Sequence, residues 1–314
     1  MFFLLSLLIF SSILCAQEIE ENERAEKELK IFQLSYFLEK DNGFTTPNVY
    51  FNNALAYIGN GHLGPGIGEL EKIEYNNLYI PLYLKSQLLR AWCYEKIQQW
   101  ESAIGIYQDL QNRMPVMKEC IIYLLARAHQ NIGDINQAIK LYLVITTQYP
   151  NSSLVPSAHY QLALLYRESN QEEQFWQECH LAVETSAEAK FKARVLTRMS
   201  DILWEEGQYL NSLTYLKEII ENRYEREKIS FQEEQYINRF QVIQENGQLE
   251  IPPGLLIFFA DTVFNYGRYS IAEQVYGDTI DKYREQIDLA GIHYKKARAI
   301  YYQGDYERAM KDCL

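Results

Sequence analysis

A chain of 314 residues with 47% hydrophobic residues, 25 Tyr and 14 Phe has too many aromatics for a disordered polymer and enough apolar mass for a folded core. Its formal charge of −12 excludes a general affinity for nucleic acid or anionic lipid, because both would be repelled. The cysteines, Cys15, Cys93, Cys120, Cys179 and Cys313, lie too far apart to frame a small disulfide domain, and the last four read as small buried hydrophobes.

Phe2 to Ala16 is apolar apart from three serines, then gives way at once to Glu18, Glu20, Glu21, Glu23 and Arg24. Such a run falls short of the about 20 residues that span a bilayer and fits the core of a secretory signal peptide. Residues 1–16 are therefore expected to direct export to the periplasm, with cleavage after Ala16. No Lys or Arg precedes the run, and a buried amino-terminal helix is the alternative. Cys15 is a candidate lipidation site, although Ser12 stands where acylated proteins prefer Leu. A lipid there, or a partner, is the expected route to a membrane. Residues 17–46 follow as an amphipathic lead-in helix, with Ala25, Leu29, Phe32 and Tyr36 at steps of four, three and four.

From residue 47 one pattern recurs. A glycine is followed two residues later by a large side chain and three after that by a small one: Gly133-Ile135-Ala138, Gly207-Tyr209-Ser212, Gly267-Tyr269-Ala272 and Gly304-Tyr306-Ala309. Gln98-Trp100-Ala103 lacks the glycine; Gly61-Leu63-Gly66 and Asn170 with Phe175 are degenerate copies. Twelve residues before each small position stands another small residue, Ala54, Ala91, Ala126, Ala163, Ser200, Ala260 or Ala297, at spacings of 37, 35, 37, 37, 60 and 37. Two antiparallel helices can cross closely only where small side chains meet, and a glycine supplies the left-handed residue that ends the first helix. The pattern predicts helical hairpins that share one core by stacking, units one to five over 47–223 and units six and seven over 253–314. The 60-residue step predicts a helical insertion at 224–252, with Ile229, Phe231, Tyr236, Ile237, Phe240 and Ile243 as its apolar face, dividing the stack into two blocks. Pro253 suits the start of the next helix. The last unit looks incomplete at Leu314, as in a fragment or an end covered by a partner.

The small pairs Ala91/Ala103, Ala126/Ala138, Ala260/Ala272 and Ala297/Ala309, the aromatics Tyr107, Tyr142 and Tyr276, and the closing Pro115 and Pro150 resemble the tetratricopeptide repeat family. The resemblance implies an all-α fold, a right-handed α-α superhelix of about seven hairpins whose first helices line a concave peptide-binding groove. Carried onto this sequence, groove positions are Tyr123, Arg127, Gln130 and Asn131; Tyr160, Leu164 and Arg167; Arg194, Thr197, Asp201 and Trp204; and Tyr294, Arg298, Tyr301 and Tyr302. Arginines recurring there in an acidic protein point to a peptide with acidic groups or a free carboxyl terminus; local charge pairing with core aromatics is the competing reading. Tyr149-Pro150-Asn151-Ser152-Ser153, followed by Ala158, Tyr160 and Leu162, also resembles repeats of bacterial envelope proteins of the BamD and Tol-associated type.

No catalytic or metal constellation is apparent, and no cofactor is expected. His62, His129, His159, His180 and His293 show no metal-ligand spacing, and His129 and His159 fall at core positions. The glycine-rich stretch Gly59 to Gly68 lacks the GK[ST] ending of a phosphate loop and reads as a loose turn of the first unit. The expected function is a non-enzymatic protein-interaction scaffold of the bacterial cell envelope. The alternatives are the accessory or substrate-binding repeat region of a larger enzyme and a cytosolic repeat regulator.

Overall fold

The computed structural model describes residues 46–78, 80–222, 229–246 and 249–312. Among them fifteen α-helices and one 3-10 turn follow one another without a strand, so the all-α class is as expected. Fourteen helices pair into seven hairpins: α1 (Thr46–Gly59) with α2 (Leu63–Glu71), α3 (Ile80–Lys96) with α4 (Trp100–Arg113), α5 (Lys118–Asn131) with α6 (Ile135–Gln148), α7 (Val155–Glu168) with α8 (Glu172–Thr185), α9 (Ala189–Glu205) with α10 (Tyr209–Asn222), α12 (Pro253–Asn265) with α13 (Tyr269–Tyr283), and α14 (Leu289–Tyr302) with α15 (Tyr306–Asp312). The unpaired helix, α11 (Ile229–Asn246), comes from the expected insertion. Two compact units result, one ending at Leu154 with hairpin three and one beginning at Val155 with hairpin four. The export run, Cys15, the lead-in helix and Cys313 lie outside the described residues.

Each hairpin turns on a single residue of positive φ: Gly61, Gln98, Gly133, Asn170, Gly207, Gly267 and Gly304, with φ between 55° and 88°. In hairpins one to six the following amide then folds back onto a carbonyl of the helix just ended, as from Asp134 to His129 (2.9 Å) and from Gln99 to Tyr94 (2.8 Å). This closes otherwise unsatisfied carbonyls at the helix end. Gln98 and Asn170 adopt the same conformation without being glycine, so the second and fourth turns, read as degenerate, are regular in geometry.

Beyond each turn the small pairs meet as the spacing requires. Ala91, Ala103, Ala126, Ala138, Ala260 and Ala272 are fully buried. In the first hairpin Gly66 takes the alanine's place, and a Cβ added there would stand 2.7 Å from Ile58 Cγ1. The stretch expected to be a loose turn is therefore helical from Leu63 onward, because Gly66 lets α2 approach α1 closely. Hairpin four breaks the rule with the buried Phe175, whose ring lies under the Arg167 guanidinium at 5.4 Å.

The insertion does not divide the stack. Tyr236, Ile237, Phe240 and Ile243 join a core that runs from Ala163 to Ala299. Phe240 stacks on Phe259 with centroids 3.9 Å apart, Tyr236 meets Phe258 edge-on, and the Tyr236 hydroxyl donates to the Leu255 carbonyl at 3.1 Å. Phe231, read as part of the apolar face, is half exposed, being off the stripe that Tyr236, Phe240 and Ile243 form.

Two substitutions test the turn and the crossing. Replacing Gln98 by Gly relieves a left-handed side chain and should stabilise the first unit by about 0.5–1 kcal/mol, after the extra freedom of the unfolded chain is deducted. Gly66→Ala should destabilise it by about 1–3 kcal/mol through overpacking against Ile58. Urea denaturation of the full chain checks both.

Candidate protein-interaction surface

In the first unit the expected groove residues are largely spent on the protein itself. Tyr123 is buried rather than exposed, because its ring packs edge-on against Tyr142 at 5.4 Å. Arg127 donates from Nη2 to Glu95 Oε2 at 2.5 Å, and the Tyr107 hydroxyl donates to Glu95 Oε1 at 2.9 Å. Burial, the largest single influence, works to lower the Arg127 pKa, but the Glu95 carboxylate together with the Tyr107, Tyr123 and Tyr142 hydroxyls outweighs it, and the guanidinium is held more firmly charged than usual. Burial first, then the Glu95 charge, pushes the Tyr107 hydroxyl well up. Asn131 is exposed and caps its own helix through the Arg127 carbonyl at 2.8 Å.

In the second unit Tyr160 is half-buried and meets Phe191 edge-on, and Phe191 carries the Arg194 guanidinium at 5.2 Å from its ring. Arg167 is half-buried over Phe175 and one of its terminal nitrogens lacks a hydrogen-bond partner. Trp204 is covered by the guanidinium of Arg239 from the inserted helix, 5.0 Å from the ring. Arg239 also donates to Asp201 Oδ1 (2.5 Å), Ser200 Oγ (2.7 Å) and Ser212 Oγ (2.9 Å). Its pKa is lowered by burial, against the pull of Asp201.

Arg298 differs from these. It is exposed, stacks over Phe264 at 5.0 Å and Tyr294 at 5.8 Å, and forms no ion pair among the described residues. It borders a cleft of about 280 Å³ lined by Asp261, Phe264, Asn265, Tyr276 and Lys295. Lys295 Nζ holds Asp261 Oδ2 at 2.6 Å, and the Tyr276 hydroxyl donates to Asp261 Oδ1 at 2.5 Å. Asp261 and Lys295 cancel, so Arg298 leaves the lining with one net positive charge.

Glu95, Asp261, Asn265, Lys295 and Arg239 were not singled out by the sequence pattern. A signal existed: each acid stands about one repeat before its cation, 32 residues for Glu95 and Arg127, 34 for Asp261 and Lys295, and 38 for Asp201 and Arg239. His129 and His159 are buried as expected, with His159 Nδ1 2.6 Å from Glu178. Burial pushes the Cys93 and Cys179 thiols up to about 12, while Cys120 is only half-buried. The described residues bring together no group of three metal-binding side chains, and none of their helices is long and apolar enough to cross a membrane.

The tetratricopeptide repeat family model matches residues 85–115 and 121–152, which cover hairpins two and three. Such repeats generally mediate protein–protein interaction and are typically non-enzymatic. No curated protein matches the chain significantly. Among solved structures, a tetratricopeptide repeat protein from Parabacteroides merdae is similar at 15% identity, with 85% of this chain and 90% of that one covered and a TM-score of 0.45. The apo form of RapI is similar at 12% identity over 86% and 95% of the two chains, with a TM-score of 0.48. MamA from Desulfovibrio magneticus is similar at 12% identity over 56% and 93%, with a TM-score of 0.44.

Two outcomes follow from the buried groups. Glu95→Ala should cost about 2–4 kcal/mol in urea denaturation, since it strands the Arg127 guanidinium and the Tyr107 hydroxyl. Alkylation mapped by mass spectrometry at pH 8 should leave Cys93 and Cys179 unmodified until denaturant is added, because a thiol raised that far is scarcely ionised and has no access.

Proposed function

We propose that the chain is a non-enzymatic scaffold of the bacterial cell envelope, holding a partner protein through the first helices of its hairpins. The grip is the cleft between hairpins six and seven, and its occupant is an acidic segment or a free carboxyl terminus of the partner. One observation carries this reading: Arg298 is an exposed cation, oriented by two rings, at the mouth of a polar cleft, without a carboxylate of its own among the described residues. Its counterpart Arg127, one residue after the small position of hairpin three as Arg298 is in hairpin seven, already has Glu95. A guanidinium that is pre-oriented by stacking loses little freedom on accepting a carboxylate, and the Asn265 amide lies in the same cleft to assist. A cleft of about 280 Å³ is at the small end for ligand pockets and suits one or two side chains rather than a cofactor.

Export rests on the apolar run Phe2 to Ala16 and on the envelope-type stretch around Tyr149 to Ser153. Fractionation with amino-terminal sequencing of the mature chain tests the compartment; a mature protein retaining Phe2 in the cytosol would overturn it. Crosslinked capture from envelope extracts tests the grip. Arg298→Gln should weaken retention of the captured partner roughly ten-fold, the loss of about 1.5 kcal/mol expected for one charge-assisted contact. Equal retention by wild type and variant removes the cleft from the reading.

A further inference from the structure

We propose that hairpin five is an arginine-reading site and that the inserted helix α11 is its tethered occupant: Ser200, Asp201, Trp204 and Ser212 form a socket for one guanidinium, filled in this chain by Arg239 and open to an arginine of a partner helix when α11 yields. The proposal rests on the reading of the chain as a protein-binding scaffold but concerns a different surface from the Arg298 cleft.

The socket meets each property of a guanidinium. One terminal nitrogen of Arg239 donates to both serine hydroxyls, the other donates to Asp201, and the plane lies over Trp204. The Ser200 hydroxyl spends its proton on the Ser212 carbonyl at 2.9 Å, so its lone pairs are turned to the guanidinium. A compact ammonium cannot span a carboxylate, two hydroxyls and a ring at once, so the arrangement selects arginine over lysine. Both serines are fully buried, and they stand where hairpins two, three, six and seven carry alanines. Two hydroxyls at a helix crossing cost stability unless something pairs with them, and Arg239 is what pairs.

Stability alone does not account for the arrangement. A buried ion pair roughly breaks even against apolar packing of the same volume, and its best-attested uses are register and switching. α11 packs on α10 of hairpin five, with Ile237 and Ile243 in the shared apolar core, and has two further attachments. Its rings Tyr236 and Phe240 pack on Phe258 and Phe259 of hairpin six. Toward α9 it reaches with Arg239 and with Gln235, whose amide donates to Asp201 at 3.0 Å. At α9 the contact is polar, so one arginine can replace another there, provided the partner helix also supplies the apolar face that α11 seats on α10. Acidity favours such an exchange, since a chain of charge −12 draws in cationic partners.

The test uses the full chain and a fluorescent peptide of residues 229–246, made with Arg239 and with citrulline in its place. Citrulline keeps the shape and removes the charge. Binding is read by fluorescence polarisation against wild type and against Arg239→Gln, with helix content followed by circular dichroism. Removing the tethered guanidinium should tighten binding of the arginine peptide about ten-fold or more, because the internal competitor is weakened. The citrulline peptide should show no such gain, and adding Ser200→Ala and Ser212→Ala to Arg239→Gln should abolish it. If Arg239→Gln loses helix content, Arg239→Lys is used and the same gain is expected, since an ammonium fills the socket poorly. Equal binding of the two peptides, or no gain in the variant, overturns the proposal and leaves Arg239 as a brace for α11. Such a failure spares the Arg298 reading, because Arg298→Gln should leave this peptide's binding unchanged.

Discussion

The distance at which two helices can cross governs this protein. At every crossing but that of hairpin four a pair of small residues, twelve apart in sequence, removes the side chains that would hold the helices apart. The left-handed residue between them returns the chain at the right place. Neither device works alone. Without the turn, the small faces do not meet; without the small faces, a well-formed turn leads into a clash, as an added Cβ on Gly66 shows at 2.7 Å from Ile58. The large side chains then have a defined space to enter, and Tyr107, Tyr142 and Tyr276, each four residues past a small position, are almost completely buried there.

Once hairpins are formed, their stacking raises an electrostatic question. Four times in the described residues a carboxylate on one helix is met by a cation from a helix about one repeat later: Glu95 by Arg127, Asp201 by Arg239, Asp261 by Lys295 and Glu273 by Arg308. Glu95, the most buried of these acids, would be costly if left unpaired, so the position of the next helix is tied to that of the cation. Apolar packing between hairpins tolerates sliding by small amounts; a guanidinium on a carboxylate does not. The pairs therefore contribute to which helix follows which, and in what register, more than to net stability.

The hairpins were legible in the sequence because their cause is local. Spacings of 35 and 37 residues, and the fixed interval within each pair, place Ala91 against Ala103 without reference to anything distant. Even Gln98 and Asn170, which lack the glycine, keep the turn through the same positive φ. The surface was less legible because its cause is not local. Arg127 is placed correctly on the first helix of its hairpin, yet whether it faces a partner depends on Glu95 in the hairpin before, and Trp204 depends on Arg239 in a helix that the repeat does not predict. The inserted helix was found from its apolar period, but its effect was misread: an amphipathic helix with a filled apolar face extends a core rather than interrupting it.

The same comparison separates arginines that build from those that can bind. Arg127, Arg239 and Arg298 all sit on helices that face a neighbour, and their charge is identical, so residue type cannot sort them. What sorts them is whether the chain supplies the counter-group. Arg127 has a carboxylate and a tyrosine-lined seat, and Arg239 has a carboxylate and two hydroxyls. Among the described residues Arg298 has only the two aromatic faces, which orient a guanidinium without neutralising it. Asp261, the acid nearest in role, is already held by Lys295 and Tyr276. A cation kept in place and left unneutralised beside a cleft retains the attraction that the other two have already discharged within the fold, and it is there that a carboxylate from outside the chain gains most.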